Sequence, residues 1–142
     1  MATKSDFTEE QWQELRFAVQ DTMAFVAFAN GAHFWETIKE ATATAKYIGS
    51  QVKESQSTLV RDLASAGGTK HEKLNPSDAA EFEKAVLETL ADASKIVADT
   101  AADELDAFKG YILGVAQAAA ESSGAVDDKE QVAIDKIKSA LV

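Results

Sequence analysis

The stretch DFTEEQWQELRFAVQDTMAFVAFANG, residues 6–31, decides the fold class because it begins with two helix signals that agree with each other. Thr8 and Gln11 stand at the N-cap and N3 positions of a capping box, in which each side chain accepts a hydrogen bond from the other residue's backbone N–H. Phe7 and Trp12 stand where two apolar side chains form a hydrophobic staple around such a box. We therefore predict that a helix begins directly after Thr8.

The apolar side chains of this stretch repeat with the period of an α-helix. They predict a long helix that runs to about Ala29 and ends at Asn30-Gly31, because both residues tolerate the left-handed conformation that ends many helices. The stripe predicted to face the core comprises Trp12, Leu15, Val19, Met23 and Val26, widened by Phe25 and Phe28.

The remainder of the chain carries signals of the same type. Alanine, the residue with the highest helix propensity, accounts for 27 of the 142 residues. Asn75 and Pro76, the only proline, are suited to the N-cap and N1 positions of a helix. Further helices are predicted over 33–49, 57–66, 76–99, 103–122 and from Asp127 onward. The prediction is an all-α fold, a compact bundle of about six helices in a single helical domain, residues 1–142.

A weak internal repeat relates the two ends of the chain. Units of about 8–50 and 103–142 each contain a long apolar helix, a polar break with glycine and an acid-bearing amphipathic helix. Gly31 and Gly124, the equivalent glycines, lie 93 residues apart. We predict that the two units pack with pseudo-twofold symmetry and that helices in 51–101 connect them.

Small residues at a spacing of four, Gly110, Gly114 and Ala118, form a ridge on the fifth predicted helix. Glycine in a helix interior costs about 1 kcal/mol relative to alanine, so the ridge indicates a packing role. We predict that another helix of the bundle approaches the fifth helix closely at this ridge.

The chain is acidic, and its charge is distributed unevenly. The formal net charge is −10, and residues 72–142 carry −8 of it, since they hold 7 basic residues against 15 Asp and Glu. Such a surface repels nucleic-acid phosphates and anionic lipid headgroups, so we predict neither nucleic-acid nor membrane binding. Cations and basic protein partners are favoured instead.

Missing residue types and motifs narrow the function further. Cysteine is absent, which excludes disulfides and thiolate metal sites. Residues 1–12 lack the apolar region of a secretory signal, and no apolar run reaches the length of a membrane span, so we predict a cytoplasmic location. We find no nucleophile elbow, catalytic triad or phosphate-binding loop and predict that the protein is not an enzyme.

The segment SSGAVDDKE, residues 122–130, has two interpretations. Asp127 is suited to cap the last helix with Glu130 at N3, and Asp128 places a negative charge at the positive end of the helix dipole. Alternatively, these acids contribute to a divalent-cation site, although the residue spacing of a calcium-binding loop is missing.

A second acidic segment, NGAHFWETIKE, spans residues 30–40. His33, Glu36 and Glu40 share one helix face because they are spaced three and four residues apart. They form either half of a metal site or a solvated face with a capping histidine. Neither the zinc-protease motif nor the Glu-x-x-His motif of di-iron bundles is present.

The two stretches EEQWQELRFAVQDTMAFVAFANG and YILGVAQAAAESSGAVDDKEQVAIDKI, residues 9–31 and 111–137, resemble the TerB-like family of bacterial tellurite-resistance proteins. In that family a hydrophobic helix ends in an Asp-Gly turn before an acid-rich helix start, often in two copies. Asn30 and Ser123 stand here in place of the two turn aspartates.

The resemblance implies an all-α fold of six or seven helices whose acids near the turns could bind a divalent cation. The family's glutamate after the glycine corresponds to Glu130, and Glu36 of the first copy stands one residue short of the register. Together with Asp127 and Asp128 they are the predicted metal ligands.

We therefore expect a non-enzymatic, TerB-like helical protein of a bacterial stress-response system that acts through a protein partner or a weakly bound divalent cation, with no other cofactor. The alternative is an interaction module whose acidic C-terminal half docks a basic partner without any metal. Self-association is also open, and a homodimer is favoured over a monomer.

Overall fold

Helix α1 spans Glu9–Ala29 in the computed structural model, as residues 6–31 predict. The Thr8 N–H donates to Gln11 Oε1, and the Gln11 N–H donates to Thr8 Oγ1, each at 3.0 Å. The rings of Phe7 and Trp12 lie 6.1 Å apart, and both are buried. The capping box and the staple are both confirmed.

The structure describes residues 3–29, 34–66, 78–121 and 128–141, and in them all side chains except those of residues 29, 34–43 and 79. The helices that follow α1 are α2 (Phe34–Glu54), α3 (Thr58–Ala66), α4 (Ala79–Thr100), α5 (Leu105–Glu121) and α6 (Asp128–Ala140). Short 3₁₀ turns cover Lys4–Asp6 and Ala102–Glu104. These ranges contain six α-helices and no strand, so the all-α bundle is confirmed.

Two predicted helix ends were wrong. Helix α2 continues past Gly49 to Glu54, because Ile48 and Val52 pack against the core on both sides of the glycine and outweigh its poor propensity. Helix α4 begins at Ala79 rather than at residue 76, because the side chain of Asp78 accepts a hydrogen bond from the Glu81 N–H at 3.2 Å and so caps the helix.

Helices α1 and α5 lie at the centre of the bundle. Helix α1 packs against α4, α5 and α6, and α5 packs against α1, α2, α4 and α6. The predicted stripe of α1 faces this core except at Phe28, which is 47% exposed. Phe28 lies at the edge of the stripe and packs edge-on against the ring of Phe82 in α4, at 5.8 Å.

The burial of side chains on α1 and α5 follows the same register when the two helices are aligned with the shift of 93 residues. The equivalent pairs that are buried on both helices are Leu15 with Phe108, Ala18 with Tyr111, Thr22 with Val115, Val26 with Ala119, and Ala27 with Ala120. Helix α1 also contacts α6 as α5 contacts α2, which a twofold relation between the units requires. The pseudo-repeat stays a prediction, now with a definite register.

The predicted close approach to α5 occurs at Gly114, where Tyr47 of α2 covers the helix. A Cβ at position 114 would lie 2.9 Å from Tyr47 Cε1 and closer still to its Cζ and Oη. At Gly110 no described atom lies within 4 Å of such a Cβ. The packing prediction is therefore confirmed for Gly114 and not for Gly110.

Both glycines lie within α5, and only Gly114 has a described neighbour in the path of a Cβ, so they form a useful pair for mutagenesis. Gly114→Ala should destabilise the fold by about 1–3 kcal/mol, because the new methyl group displaces the Tyr47 ring. Gly110→Ala should stabilise it by about 0.5–1 kcal/mol through helix propensity. Chemical denaturation measures both changes, and equal effects of the two substitutions would contradict this account of Gly114.

Helix α3 is joined to the start of α5 by a buried polar contact. The hydroxyl of Ser57, which is the N-cap residue of α3, accepts from the Val60 N–H at 3.1 Å and donates to the carboxylate of Glu104. Both side chains are buried. One oxygen therefore satisfies a helix end and a buried carboxylate at once.

Removal of this hydroxyl should cost more than removal of an exposed cap. We expect Ser57→Ala to lower the free energy of unfolding by about 2–4 kcal/mol, since it leaves both Glu104 and the end of α3 without their donor or acceptor. Thr8→Ala, at the exposed cap of α1, should cost about 0.5–2 kcal/mol. Urea denaturation measures the loss of unfolding free energy in both variants. If the loss in Ser57→Ala is no larger than that in Thr8→Ala, the hydrogen bond from Ser57 to Glu104 contributes little to stability.

Candidate functional site

The structure places the two described acids of the candidate metal site on different sides of α6. Asp128 is exposed, whereas Glu130 is 1% exposed and lies on the face that also buries Ala133, Ile134 and Ile137. A separation of two residues turns a helix by about 200°, so the two carboxylates diverge. Asp127 and the side chains of His33, Glu36 and Glu40 lie outside the described residues. In the described part of the chain no three potential metal ligands come together.

The start of α6 agrees with the capping interpretation of the same segment. The helix begins at Asp128, so Glu130 is its third residue, the position that the capping interpretation gave it. Asp128 and Glu130 thus both lie in the first turn, where the helix dipole favours negative charge. The four-acid site stays a prediction, because two of its members are not described.

A divalent cation held by these four acids would stabilise the folded chain. Ca²⁺ or Mn²⁺ should then raise the melting temperature, by the equivalent of about 2.7 kcal/mol at a hundredfold excess over Kd. Glu36→Gln should remove this rise in the melting temperature, because Glu36 is the only one of the four acids that lies outside residues 127–130. Asp135→Asn, which changes an exposed acid of α6 outside the set, should retain it. A wild-type melting temperature that millimolar cation leaves unchanged would contradict the site.

The surface between α4 and α6 holds an open groove of about 690 Å³, here called the α4–α6 groove. Its apolar lining consists of Leu87, Ala91, Val132 and Ala140, and its polar lining of Lys84, Glu88, Asp135, Lys136 and Ser139. Val132 is 52% exposed. An apolar floor between mixed charges is typical of surfaces that bind another polypeptide.

Aromatic residues lie next to one end of this groove. Val132 and Lys136 also line a second hollow, together with Phe25. The ring of Phe25 stacks on Phe82 at 6.4 Å, and Phe82 in turn contacts the exposed Phe28. The two exposed large apolar side chains of the described residues, Phe28 and Val132, thus flank one aromatic cluster.

An ion pair connects the two helices beside the groove. Lys136 Nζ lies 2.6 Å from Glu83 Oε1, and both side chains are about two-fifths exposed, at 44% and 40%. Pairs this exposed contribute little to stability, about 0–1 kcal/mol. Lys136 can therefore move to another partner at small cost.

A third hollow, of about 350 Å³, lies among α1, α2, α3 and α5 and is here called the Tyr111 cavity. Its apolar lining includes Val19, Met23, Ile48 and Leu63, and its polar lining consists of Arg16, Gln20 and Tyr111. Arg16 Nη2 donates to the Ala66 carbonyl at the end of α3, at 3.4 Å.

Tyr111 is the deepest polar residue of this cavity. It is 2% exposed, and its hydroxyl makes no hydrogen bond to any described residue. Its ring stacks on Tyr47 with the centroids 6.1 Å apart. Burial raises the pKa of Tyr111, and the neighbouring Tyr47 raises it further, so the hydroxyl stays protonated and able to donate.

The sequence analysis predicted neither the α4–α6 groove nor the Tyr111 cavity, although the sequence contains a signal for each. Val132 stands on the face of α6 that also carries Lys129, Asp135 and Lys136, so it interrupts a charged face with an apolar side chain. Tyr111 lies between Phe108 and Val115 at core spacing, which indicates a buried hydroxyl that needs a partner.

Comparisons with known proteins found no matching family model, no matching curated protein and no matching solved structure. The described helices include none that is long and apolar enough to cross a membrane.

Proposed function

We propose that this protein acts by binding a protein partner, without catalysis of its own, and that a basic amphipathic helix of the partner docks in the α4–α6 groove. The observation that carries the proposal is Val132, an apolar side chain that is 52% exposed on the floor of the groove between two charged rims. Full burial of a side chain of this kind contributes about 1.5–3 kcal/mol, so its exposure favours association.

The shape of the groove favours a helix as the occupant. Its apolar residues on α4, Leu87 and Ala91, are spaced four apart, and Val132 and Ala140 on α6 are eight apart. Rows at these spacings receive the apolar stripe of another helix, whose side chains pack into the space between the rows.

The charge of the surroundings favours a basic occupant. The exposed acids of α4 include Glu81, Glu88 and Asp92, and the chain as a whole carries a net charge of −10. A basic helix is steered toward such a surface, and its lysines or arginines then lie beside the rim acids. A second copy of this acidic chain would meet repulsion instead.

The TerB-like relationship is part of the same proposal. It is supported by the resemblance of residues 9–31 and 111–137 and by the all-α architecture of six helices. On this basis we propose a cytoplasmic role in a bacterial stress response related to tellurite resistance, in which the protein serves as a binding component.

Peptide binding to matched variants tests the docking surface. The probe is a synthetic amphipathic helix of leucine and lysine, compared with a scrambled peptide of the same composition. Val132→Glu should weaken binding of the amphipathic peptide by about tenfold or more, because a charge replaces the apolar floor. Ala107→Glu, at an exposed position of α5 outside the groove, should bind as the wild type does.

The two variants add the same negative charge, so they separate docking from general attraction. Binding that depends on charge alone would be equal in both variants and equal for the scrambled peptide, and that result would contradict the proposal. Sedimentation without peptide tests the competing homodimer. A wild-type dimer that Val132→Glu dissociates would assign the groove to a second copy of the chain.

A further inference from the structure

We infer that the partner's contact surface continues from the α4–α6 groove through the second hollow to Phe28, where an apolar side chain near one end of the docked helix packs on the Phe28 ring. The second hollow, which Phe25 lines beside the groove, has a volume of about 320 Å³. This extension rests on the proposed function, because it lengthens the same docking surface.

The groove and the second hollow are continuous along α6 and are together called the docking track. The groove is lined by α6 residues from Ala140 back to Val132, and the hollow by residues from Lys136 back to Asp128. Val132 and Lys136 line both. From residue 140 to residue 128 the docking track covers about 18 Å of helix, at about 1.5 Å per residue, which matches a docked helix of about 12 residues.

Helix α4 borders the docking track in the same order. Its groove residues run from Ala91 back to Lys84, and the preceding residue, Glu83, lines the second hollow. Phe82 comes directly before Glu83, and the ring of Phe28 packs edge-on against it at 5.8 Å. This contact places Phe28 near the end of the docking track at which α4 begins.

A second aromatic contact keeps Phe28 close to the hollow. Phe25 lines the hollow, and its ring stacks on Phe82 at 6.4 Å. Phe25 and Phe28 are therefore both neighbours of the same ring. A helix that fills the hollow above Phe25 needs about one further turn to reach Phe28.

Phe28 is an exposed aromatic side chain, at 47%. A single exposed apolar side chain is common on protein surfaces and indicates nothing by itself. Phe28 and Val132 are, however, the two exposed large apolar side chains of the described residues, and both belong to one continuous surface. Because aromatic side chains are enriched at the centres of protein interfaces, Phe28 is suited to anchor the partner beyond the groove.

The lining of the second hollow favours apolar contact over selection by charge. Its charged residues are two acids and two lysines, namely Glu83, Asp128, Lys129 and Lys136. The remaining lining is apolar and includes Phe25 and Val132. Since the charges of the lining cancel, the docked helix gains most here by continuing its apolar stripe. The partner residue that meets Phe28 should accordingly be apolar.

Peptides of two lengths test this extension on the full chain. The short peptide is an amphipathic helix of leucine and lysine of about 12 residues, which covers the docking track. The long peptides add about one turn at one end or the other and carry either leucine or glutamine where the apolar stripe continues. At one of the two ends, the leucine peptide should bind about fivefold more tightly than the glutamine peptide.

Phe28→Ala should remove this advantage of leucine, because the ring that receives the leucine is lost. The short peptide should bind Phe28→Ala as tightly as the wild type, which shows that the docking track of the variant is intact. Lys95→Ala, which truncates an exposed side chain of α4 outside the docking track, should retain the advantage.

The outcomes separate this extension from the proposed function. Binding of none of the peptides would contradict both. Binding of the short peptide that Val132→Glu weakens, without an advantage of leucine at either end or with one that Phe28→Ala leaves unchanged, would overturn the extension alone. Equal weakening of the short and long peptides by Phe28→Ala would also overturn it, because Phe28 would then only support the packing of the hollow.

Discussion

Tyr47 lies over Gly114 because position 114 has no Cβ, and this contact sets how closely α2 approaches α5. The same approach stacks Tyr47 on Tyr111 and buries the Tyr111 hydroxyl. It also brings α2 alongside α1 and α3, where the small residues Ala45 and Gly49 leave the Tyr111 cavity unfilled. One glycine in the middle of a helix, at a cost of about 1 kcal/mol in propensity, thus determines the packing of the α2 side of the bundle.

Two buried polar groups of this bundle show opposite solutions to the same constraint. Glu104 accepts from Ser57, so a buried carboxylate is satisfied and two helices are joined. Tyr111 has a donor at comparable depth with no acceptor among the described residues. Phenylalanine at position 111 would avoid this cost, because it has no donor to satisfy.

The groove and the cavity differ in exposure and in the charge of their linings. The α4–α6 groove is open, carries charges of both signs and exposes Val132, which suits a polypeptide that buries a large area. The Tyr111 cavity is smaller, and its lining includes the buried Leu63, Ala64 and Tyr111 beside the side chains of Arg16 and Gln20. Helix α1 borders the Tyr111 cavity through Val19 and the smaller hollow beside the groove through Phe25.

Local interactions determined what the sequence by itself could predict. The capping box at Thr8, the staple of Phe7 with Trp12 and the apolar period of α1 involve residues within a few positions of one another, and all three occur as expected. The spacing of Ile134 and Ile137, which are both buried on α6, follows the same helical period. The predicted end of α2 at Gly49 was wrong because residues beyond the glycine pack against the core. The predicted start of α4 at Asn75-Pro76 was wrong because Asp78 caps the helix instead.

Only the tertiary structure decided what happens between helices that are distant in sequence. The sequence of α6 predicted acids at the start of the helix. It did not predict that Glu130 is buried, since burial depends on what packs against that turn. The small-residue ridge predicted a close neighbour without naming Tyr47 or separating Gly114 from Gly110. Both hollows arise where surfaces of different helices fail to fill the space between them, and such a mismatch has no signature within a single helix. Sequence periodicity states which face of a helix turns inward, whereas shape complementarity between faces exists only once they meet.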